Sequence, residues 1–428
     1  MQQAGVRTPT AWAEARAQAR EPESGLARYH RGPVGQRYDR YREIFWGERL
    51  PLAFCDLDLF DRNVASVAER AGGLPVRVAS KSIRCRALLR RVLDAPGMQG
   101  VMCFTAAEAA FLSDHGFDDL LVAYPTVDEI ELAGVLARVS AGATIRLVVD
   151  DEAQVQRLDE LGSRGRQVLR LVMDVDMSSS LPGLHFGVRR SPIRDPAGAL
   201  SLARAVRARR WLRLEGVLGY EAQIAGVPDA VPGRAALSTT VRALKRRSIP
   251  ELRRRRAAVV EALRGDGFAL DLVNGGGTGS LESTRDDPSV TELTAGSAFY
   301  APALFDGYRA FRHEPAVAFA LPVTRRPRPD IVTCHGGGYV ASGAAGADRL
   351  PRPFLPEGGQ LLSAEGAGEV QTPVRYGGGV DLEIGDPVFF RHAKAGELCE
   401  RFEELLLVHD GQIVERVPTY RGDGQAFL

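Results

Sequence analysis

Lys81 stands at the end of a short apolar run, Val76-Arg77-Val78-Ala79-Ser80, and is followed by Ser82-Ile83-Arg84-Cys85 and a stretch rich in Arg and Leu. An amine left at the mouth of a strand can carry pyridoxal phosphate as a Schiff base, the linkage that makes this cofactor an electron sink for amino-acid chemistry. Read alone, such a lysine is ordinarily a solvated cap. Residues after other apolar runs add to it. Gly275, Gly276, Gly277 and Thr278, continuing into Gly279-Ser280, offer bare backbone amides and two hydroxyls, a nest suited to a phosphate group, although tight turns use the same residues. Arg189 follows Gly187-Val188 and can pair with a carboxylate or phosphate, or it can be a surface-loop arginine. Tyr220, Glu221 and Gln223 put an aromatic, a carboxylate and an amide just past a further run, and Tyr300 puts a phenol past the last one.

These groups need a scaffold that gathers strand ends. Apolar runs at 52–56, 76–80, 100–103, 120–123, 145–150, 168–174, 212–219, 270–274 and 290–294 alternate with helical patterns, several of which begin at Asp or Thr, good amino-terminal caps. Repeated strand-helix alternation predicts a parallel sheet covered by helices, and at this count a closed (β/α)8 TIM barrel, whose functional groups lie at the carboxyl ends of its strands. Nine runs are one too many, so the first is expected to pair outside the barrel. Beyond residue 301 helical periods fade, Gly and Pro become dense, and short β-like runs appear at 316–323, 331–334, 387–391, 405–408 and 413–417. Asp410-Gly411 between two of them signals a hairpin. The expected organisation is an amino-terminal extension (1–49), partly flexible or wrapped on another surface, a barrel (50–300) and a carboxyl-terminal all-β domain (301–428).

Composition narrows the function classes. Lys plus Arg (55) nearly balance Asp plus Glu (54), which leaves no global field to recruit nucleic acid or an anionic membrane. The basic runs Lys245-Arg246-Arg247 and Arg253-Arg254-Arg255-Arg256 read as the solvated face of a helical segment interrupted near Pro250. No stretch approaches the roughly 20 apolar residues of a membrane helix, no secretory signal is legible, and five scattered cysteines form no CxxC pair or disulfide framework. A cytoplasmic protein without nucleic-acid or membrane partners is expected.

The ordered set KSIRC, DVDMSSSLPGLHFGVR, EGVLGYEAQ, NGGGTGS and ELTAGSAFY resembles the fold-type III pyridoxal phosphate enzymes of the alanine racemase superfamily, and within them the D-threonine aldolase and D-serine dehydratase branch. The resemblance runs from about residue 52 to the end. It implies that Lys81 is the Schiff-base lysine, that Gly275, Gly276, Gly277 and Thr278 hold the cofactor phosphate with help from Tyr300, and that Arg189, Tyr220 and Gln223 lie around the ring or the substrate carboxylate. It implies a divalent metal in the β domain, held by a His-x-Cys or His-x-Asp pair. His392 matches the histidine, but Lys394 stands at its partner position, and a protonated amine is no ligand. Val370-Gln371 replaces an upstream Glu-His pair. Either His392, Glu397 and Cys399 form a rearranged site, or the metal is lost and the Lys394 charge takes its place; two changed positions favour the second. His335 is a candidate base or an ordinary loop histidine. The implied activity is that of a lyase, an aldolase or a dehydratase/deaminase acting on small D-3-hydroxy amino acids, in a homodimer pairing barrel to β domain. An amino-acid racemase and a non-catalytic cofactor carrier or regulator are the alternatives.

Overall fold

The computed structural model of the chain describes residues 35–181 and 183–428. Its first strand, β1 (Leu52–Asp56), is buried along its whole length and leads directly into the helix Leu57–Ala71, whose first turn is capped by the Asp56 carboxylate accepting from the amides of Asp58 and Leu59. Thr105, Asp128, Asp151 and Asp195 cap later helices in the same way, each cap contributing about 1 kcal/mol.

The strands β2 (Val76–Ala79), β3 (Met98–Cys103), β4 (Leu120–Val122), β5 (Ile145–Val149) and β6 (Leu169–Asp174) follow in order. A short hairpin, β7 (Ser179–Leu181) and β8 (Leu184–Phe186), interrupts them before β9 (Leu212–Gly219), β10 (Leu272–Gly275) and β11 (Glu292–Ala295). Leaving out the hairpin, the eight strands β2 to β6 and β9 to β11 pair in parallel, neighbour to neighbour, and β11 returns to β2 to close the barrel.

Alternation along the strands fills the interior in layers. At the amino-terminal end Arg77 meets Glu292 at 2.8 Å and Asp119 at 3.1 Å, while Arg146 meets Asp119 at 2.5 Å and Glu215 at 2.9 Å. This network satisfies charges that could not otherwise be buried. An apolar layer of Leu121, Val148, Val172, Leu218 and Leu272, with Met102 against it, lies next. Two residues beyond Val172 in β6 comes Asp174, and Lys81 stands in the short 3-10 turn Ser80–Ser82 that follows β2, so a carboxylate and a lysine reach the carboxyl-terminal mouth.

The second domain contains β12 (Val317–Arg328), β13 (Ile331–His335), β14 (Arg352–Leu355), β15 (Gln360–Leu361), β16 (Gln371–Arg375), β17 (Pro387–Arg391), β18 (Glu404–His409) and β19 (Gln412–Pro418). Its sheet runs β15-β16-β13-β12-β1-β18-β19, with β17 and β14 paired beyond β12. As expected, the surplus first strand lies outside the barrel, and it belongs here: β1 pairs antiparallel with β12 and parallel with β18. The helix Gln36–Ile44 covers the same sheet, where Tyr41 and Phe45 pack on Phe54 (5.1 and 4.7 Å between ring centroids) and on Phe389. Residues 36–56 therefore belong with the β domain, which corrects a boundary at residue 50; the rest of the expected extension, up to residue 34, lies outside the described residues. Asp410 and Gly411 turn β18 into β19 with φ of 49° and 75°, the left-handed pair that a two-residue hairpin requires.

The helix expected to break near Pro250 runs unbroken as Ala235–Gly265. Its basic runs are not simply a solvated face. Lys245 is buried against Asp229 (3.3 Å) and the Tyr308 ring, and Arg256 is buried between Asp287 (2.5 Å) and Glu221 (3.2 Å).

Candidate active site

The mouth of the barrel brings residues from four strand ends into contact. Lys81, just past β2, donates from Nζ to the Tyr124 hydroxyl at 3.1 Å. Tyr124 follows β4 and is 42% exposed. The Arg190 guanidinium lies 4.9 Å from the Tyr124 ring centroid and 5.9 Å from that of Tyr220, just past β9. A Cβ on Gly277 would lie 3.2 Å from the Tyr220 ring, so the glycine loop after β10 completes the rim.

Arg190 is fixed from below. Its Nε donates to Asp174 Oδ2 at 2.5 Å and its Nη2 to the Ala123 carbonyl at 2.6 Å. Burial raises the Asp174 carboxyl to about 6 despite the opposing pull of Arg190, and its Oδ1 is buried without a protein partner. For Tyr124 burial works upward, but the Lys81 ammonium and the Arg190 guanidinium outweigh it and hold the phenol below its usual range. Tyr220 moves the other way, to about 12, through burial and then the neighbouring Tyr124 and Glu221.

The lysine turn is clamped by both domains. Gly396, at φ 77°, packs so closely on the Lys81 carbonyl that a Cβ there would collide with it. Arg84 donates from Nε to the Lys81 carbonyl (3.1 Å) and from Nη1 to Glu400 (2.6 Å). The Ile83 carbonyl accepts from the Tyr300 hydroxyl (2.7 Å) and the Cys399 thiol (3.3 Å), and the Arg84 carbonyl from the Tyr420 amide (2.9 Å). Behind the turn, the buried Glu108 accepts from the Phe104 amide and the Tyr420 hydroxyl, both at 2.8 Å; burial raises it to about 7.

Lys81, Tyr220 and the loop Gly275, Gly276, Gly277 and Thr278 thus share one rim. Other expected residues are elsewhere. Arg189 is exposed, whereas Arg190, one residue on, lies against Tyr124 and Tyr220 at the mouth. Gln223 is buried behind the rim, its Nε2 donating to the Met177 carbonyl at 2.6 Å and to Ser248 at 3.2 Å. Tyr300 is wholly buried, and its hydroxyl donates to the Ile83 carbonyl, so it props the lysine turn. His335 is exposed at the end of β13, opposite Gln371. Tyr124, Asp174 and Arg190 were missed, although the strand-end rule that singled out Lys81 also covers Tyr124 and Asp174.

A phosphate-bearing aldehyde cofactor fits this rim. The Gly276 and Gly277 amides are taken by Glu221 and Ser280, but those of Thr278 and Gly279 have no protein acceptor among the described residues. A metal does not fit the expected set. Cys399 is turned to Ile83 and burial pushes its thiol well up, away from the thiolate a metal needs. Glu397 accepts from the Ser342 amide (2.8 Å) and hydroxyl (2.5 Å) and pairs with Lys394 at 3.2 Å. His392 is 3% exposed with both ring nitrogens unpartnered, beside a cavity of about 240 Å³ that Lys394, Glu397 and Arg401 also line. Among the described residues, the only three His, Cys, Asp or Glu donors within 4.8 Å of one another are Asp58, His409 and Asp410, at the β18–β19 hairpin.

The sequence pattern described as "Alanine racemase, N-terminal domain" matches residues 55–302. The chain is 27% identical over 296 residues to a D-threonine aldolase of Arthrobacter sp, covering 67% of this chain and 71% of that enzyme. It is 22% identical over 255 residues to a 3-hydroxy-D-aspartate aldolase of Paracoccus denitrificans, which is 59% of this chain but only 60% of the relative's length. In fold it is similar to the D-threonine aldolase from Filomicrobium marinum (TM-score 0.74, 21% identity, 87% of this chain and 95% of that one). It is also similar to the D-threo-3-hydroxyaspartate dehydratase from Delftia sp. HT23 (TM-score 0.68, 19% identity, 88% and 98%).

Proposed function

The chain belongs to the alanine racemase amino-terminal domain family, and on that premise we propose that it is a pyridoxal phosphate-dependent lyase cleaving or dehydrating small D-3-hydroxy amino acids. The observation that carries the reading is the Lys81 amine at the carboxyl-terminal mouth of a closed barrel, 3.1 Å from Tyr124 and on the same rim as the Gly275 to Thr278 loop. The names of the aldolase and dehydratase relatives support the substrate class.

When bound, the cofactor supplies the electron sink that weakens bonds at the substrate α-carbon. Lys81 would hold its aldehyde carbon, and the Thr278 and Gly279 amides would hold its phosphate. Arg190, immobilised by Asp174 and the Ala123 carbonyl, keeps a cation at the rim for the substrate carboxylate without paying reorganisation on binding. The clamp on the Ser80 to Cys85 backbone fixes where the lysine emerges. Lys394, oriented by Ser342 (2.6 Å) and Glu397, would put its charge where the resemblance implies a metal ligand, in a cavity that His392 also lines; His335 is not assigned a part.

The protein loaded with cofactor is to be incubated with D-threonine, D-serine and 3-hydroxy-D-aspartate while aldehyde, keto acid and the opposite enantiomer are followed. Aldehyde or keto acid is the expected product; the opposite enantiomer alone, or no product, overturns the reading. We further propose a cytoplasmic homodimer. No helix among the described residues is long and apolar enough to cross a membrane, and all five cysteines are buried and free. Val127 (61% exposed) and Ile130 (86%) present apolar surface beyond β4 for the second copy; light scattering that reports an active monomer contradicts the dimer.

A further inference from the structure

We propose that Tyr124 is the base of this site, taking the proton from the 3-hydroxyl of the substrate as the Cα–Cβ bond breaks. The proposal rests on the function proposed above and chooses, within it, aldol cleavage.

Position comes first. A general base must stand within hydrogen-bond reach of the proton it removes. Tyr124 Oη is 3.1 Å from Lys81 Nζ. In a 3-hydroxy amino acid the amino nitrogen and the hydroxyl are borne on adjacent carbons, so an amino nitrogen held where Lys81 Nζ ends leaves the hydroxyl within reach of the same phenol. Tyr124 is also open to a ligand, whereas the other phenols near the turn, Tyr300 and Tyr420, are wholly buried and already donate to Ile83 and Glu108.

The surroundings favour the ionised phenol. Lys81 faces it from the turn after β2, and Arg190 faces it from the loop after β8. Among the described residues Tyr220, past β9, is a further titratable group set against it, and Asp174 holds Arg190 in place. Cations against a phenol lower its proton affinity, the direction found for Tyr124 agrees, and Arg190 stays in place whether or not Lys81 holds the cofactor. Tyr220, on the same rim, is raised and cannot serve.

The step balances without an oxidant or reductant. The hydroxyl proton passes to Tyr124 Oη, the oxygen and Cβ become an aldehyde carbonyl, and the Cα–Cβ electron pair stays on Cα, where one proton completes glycine.

The test compares the cofactor-loaded wild type with Tyr124→Phe, using D-threonine and measuring acetaldehyde. The expected loss in kcat is roughly 10²- to 10⁴-fold, with KM and the cofactor absorption little changed, and with the rising limb of the wild-type kcat–pH profile gone from the variant. Phenolate absorbance near 295 nm, titrated without substrate, supplies a second readout: wild type minus Tyr124→Phe should show one phenol ionising below the ordinary tyrosine range of about 10, and Arg190→Met should move it up. A variant that keeps wild-type kcat and the rising limb, or a difference titration with no early phenol, overturns the proposal. Failure of the wild type to act on any D-3-hydroxy amino acid overturns the function reading and this proposal together, and so is distinguishable from failure of the proposal alone.

Discussion

Replacing Glu108 by Gln isolates a titration that the fold has moved to neutrality. Glu108 is wholly buried behind the lysine turn, and burial raises its carboxyl from 4.5 to about 7 against the opposing hydrogen bonds of Ser80, the Phe104 amide and Tyr420. A carboxyl with a raised folded pKa binds more protons folded than unfolded, so stability falls as pH climbs from the unfolded value through the folded one. With those two values, linkage gives a loss on the order of 2–3 kcal/mol between pH 5 and pH 8 from this group alone. The Gln variant does not titrate there. The difference in unfolding free energy between wild type and Glu108→Gln should therefore drift by roughly 2–3 kcal/mol over that range, in favour of the variant as pH rises, and the difference in urea midpoint should drift with it. Urea unfolding followed by tryptophan fluorescence, with Trp211 beside the barrel wall, reads it directly. A difference that stays constant from pH 5 to pH 8 would refute the reasoning, because the carboxyl would then not be held neutral by burial.

Two further outcomes follow from the rim and its neighbours. Arg190→Ala should lower kcat/KM by at least tenfold while Arg189→Ala leaves it within about twofold, as a charge-assisted contact worth about 1.5–3 kcal/mol demands; equal effects in steady-state assays would return the role to Arg189. Exhaustive chelation should leave activity intact and Lys394→Ala should reduce it strongly, while Cys399→Ala lowers stability through a lost buried contact with little effect on turnover. Activity abolished by chelator and restored by zinc or manganese would instead show that His392 with Glu397 or Cys399 binds a metal.

The barrel was legible because burial on a strand leaves a simple mark: apolar runs of four to eight residues, spaced by helical patterns, correspond to β1 to β6 and β9 to β11 within about two residues. Lys81 and Tyr220 were legible for the same reason, as polar residues next after such runs. What was not legible depends on contacts distant in sequence. Arg189 and Arg190 differ only in which way an irregular loop turns, and Asp174 decides it from sixteen residues away. Tyr300 reads as a rim phenol until Ile83 claims its hydroxyl across 217 positions. Arg256 stands in a run of four arginines, yet Glu221 and Asp287 draw that one guanidinium inward. Helix Gln36–Ile44 is placed by contacts outside its own segment, such as those of Tyr41 with Phe389 and of Arg37 with Glu357, and β14 to β16 are short strands in a segment dense in Gly and Pro, where local preference is weak.

Borohydride trapping tests the central claim most directly. Cofactor-loaded protein is reduced, digested and mapped by mass spectrometry. The account predicts a single phosphopyridoxyl adduct on Lys81, absent from Lys81→Ala together with activity; an unmodified Lys81, or a Lys81→Ala protein with full turnover, would contradict it.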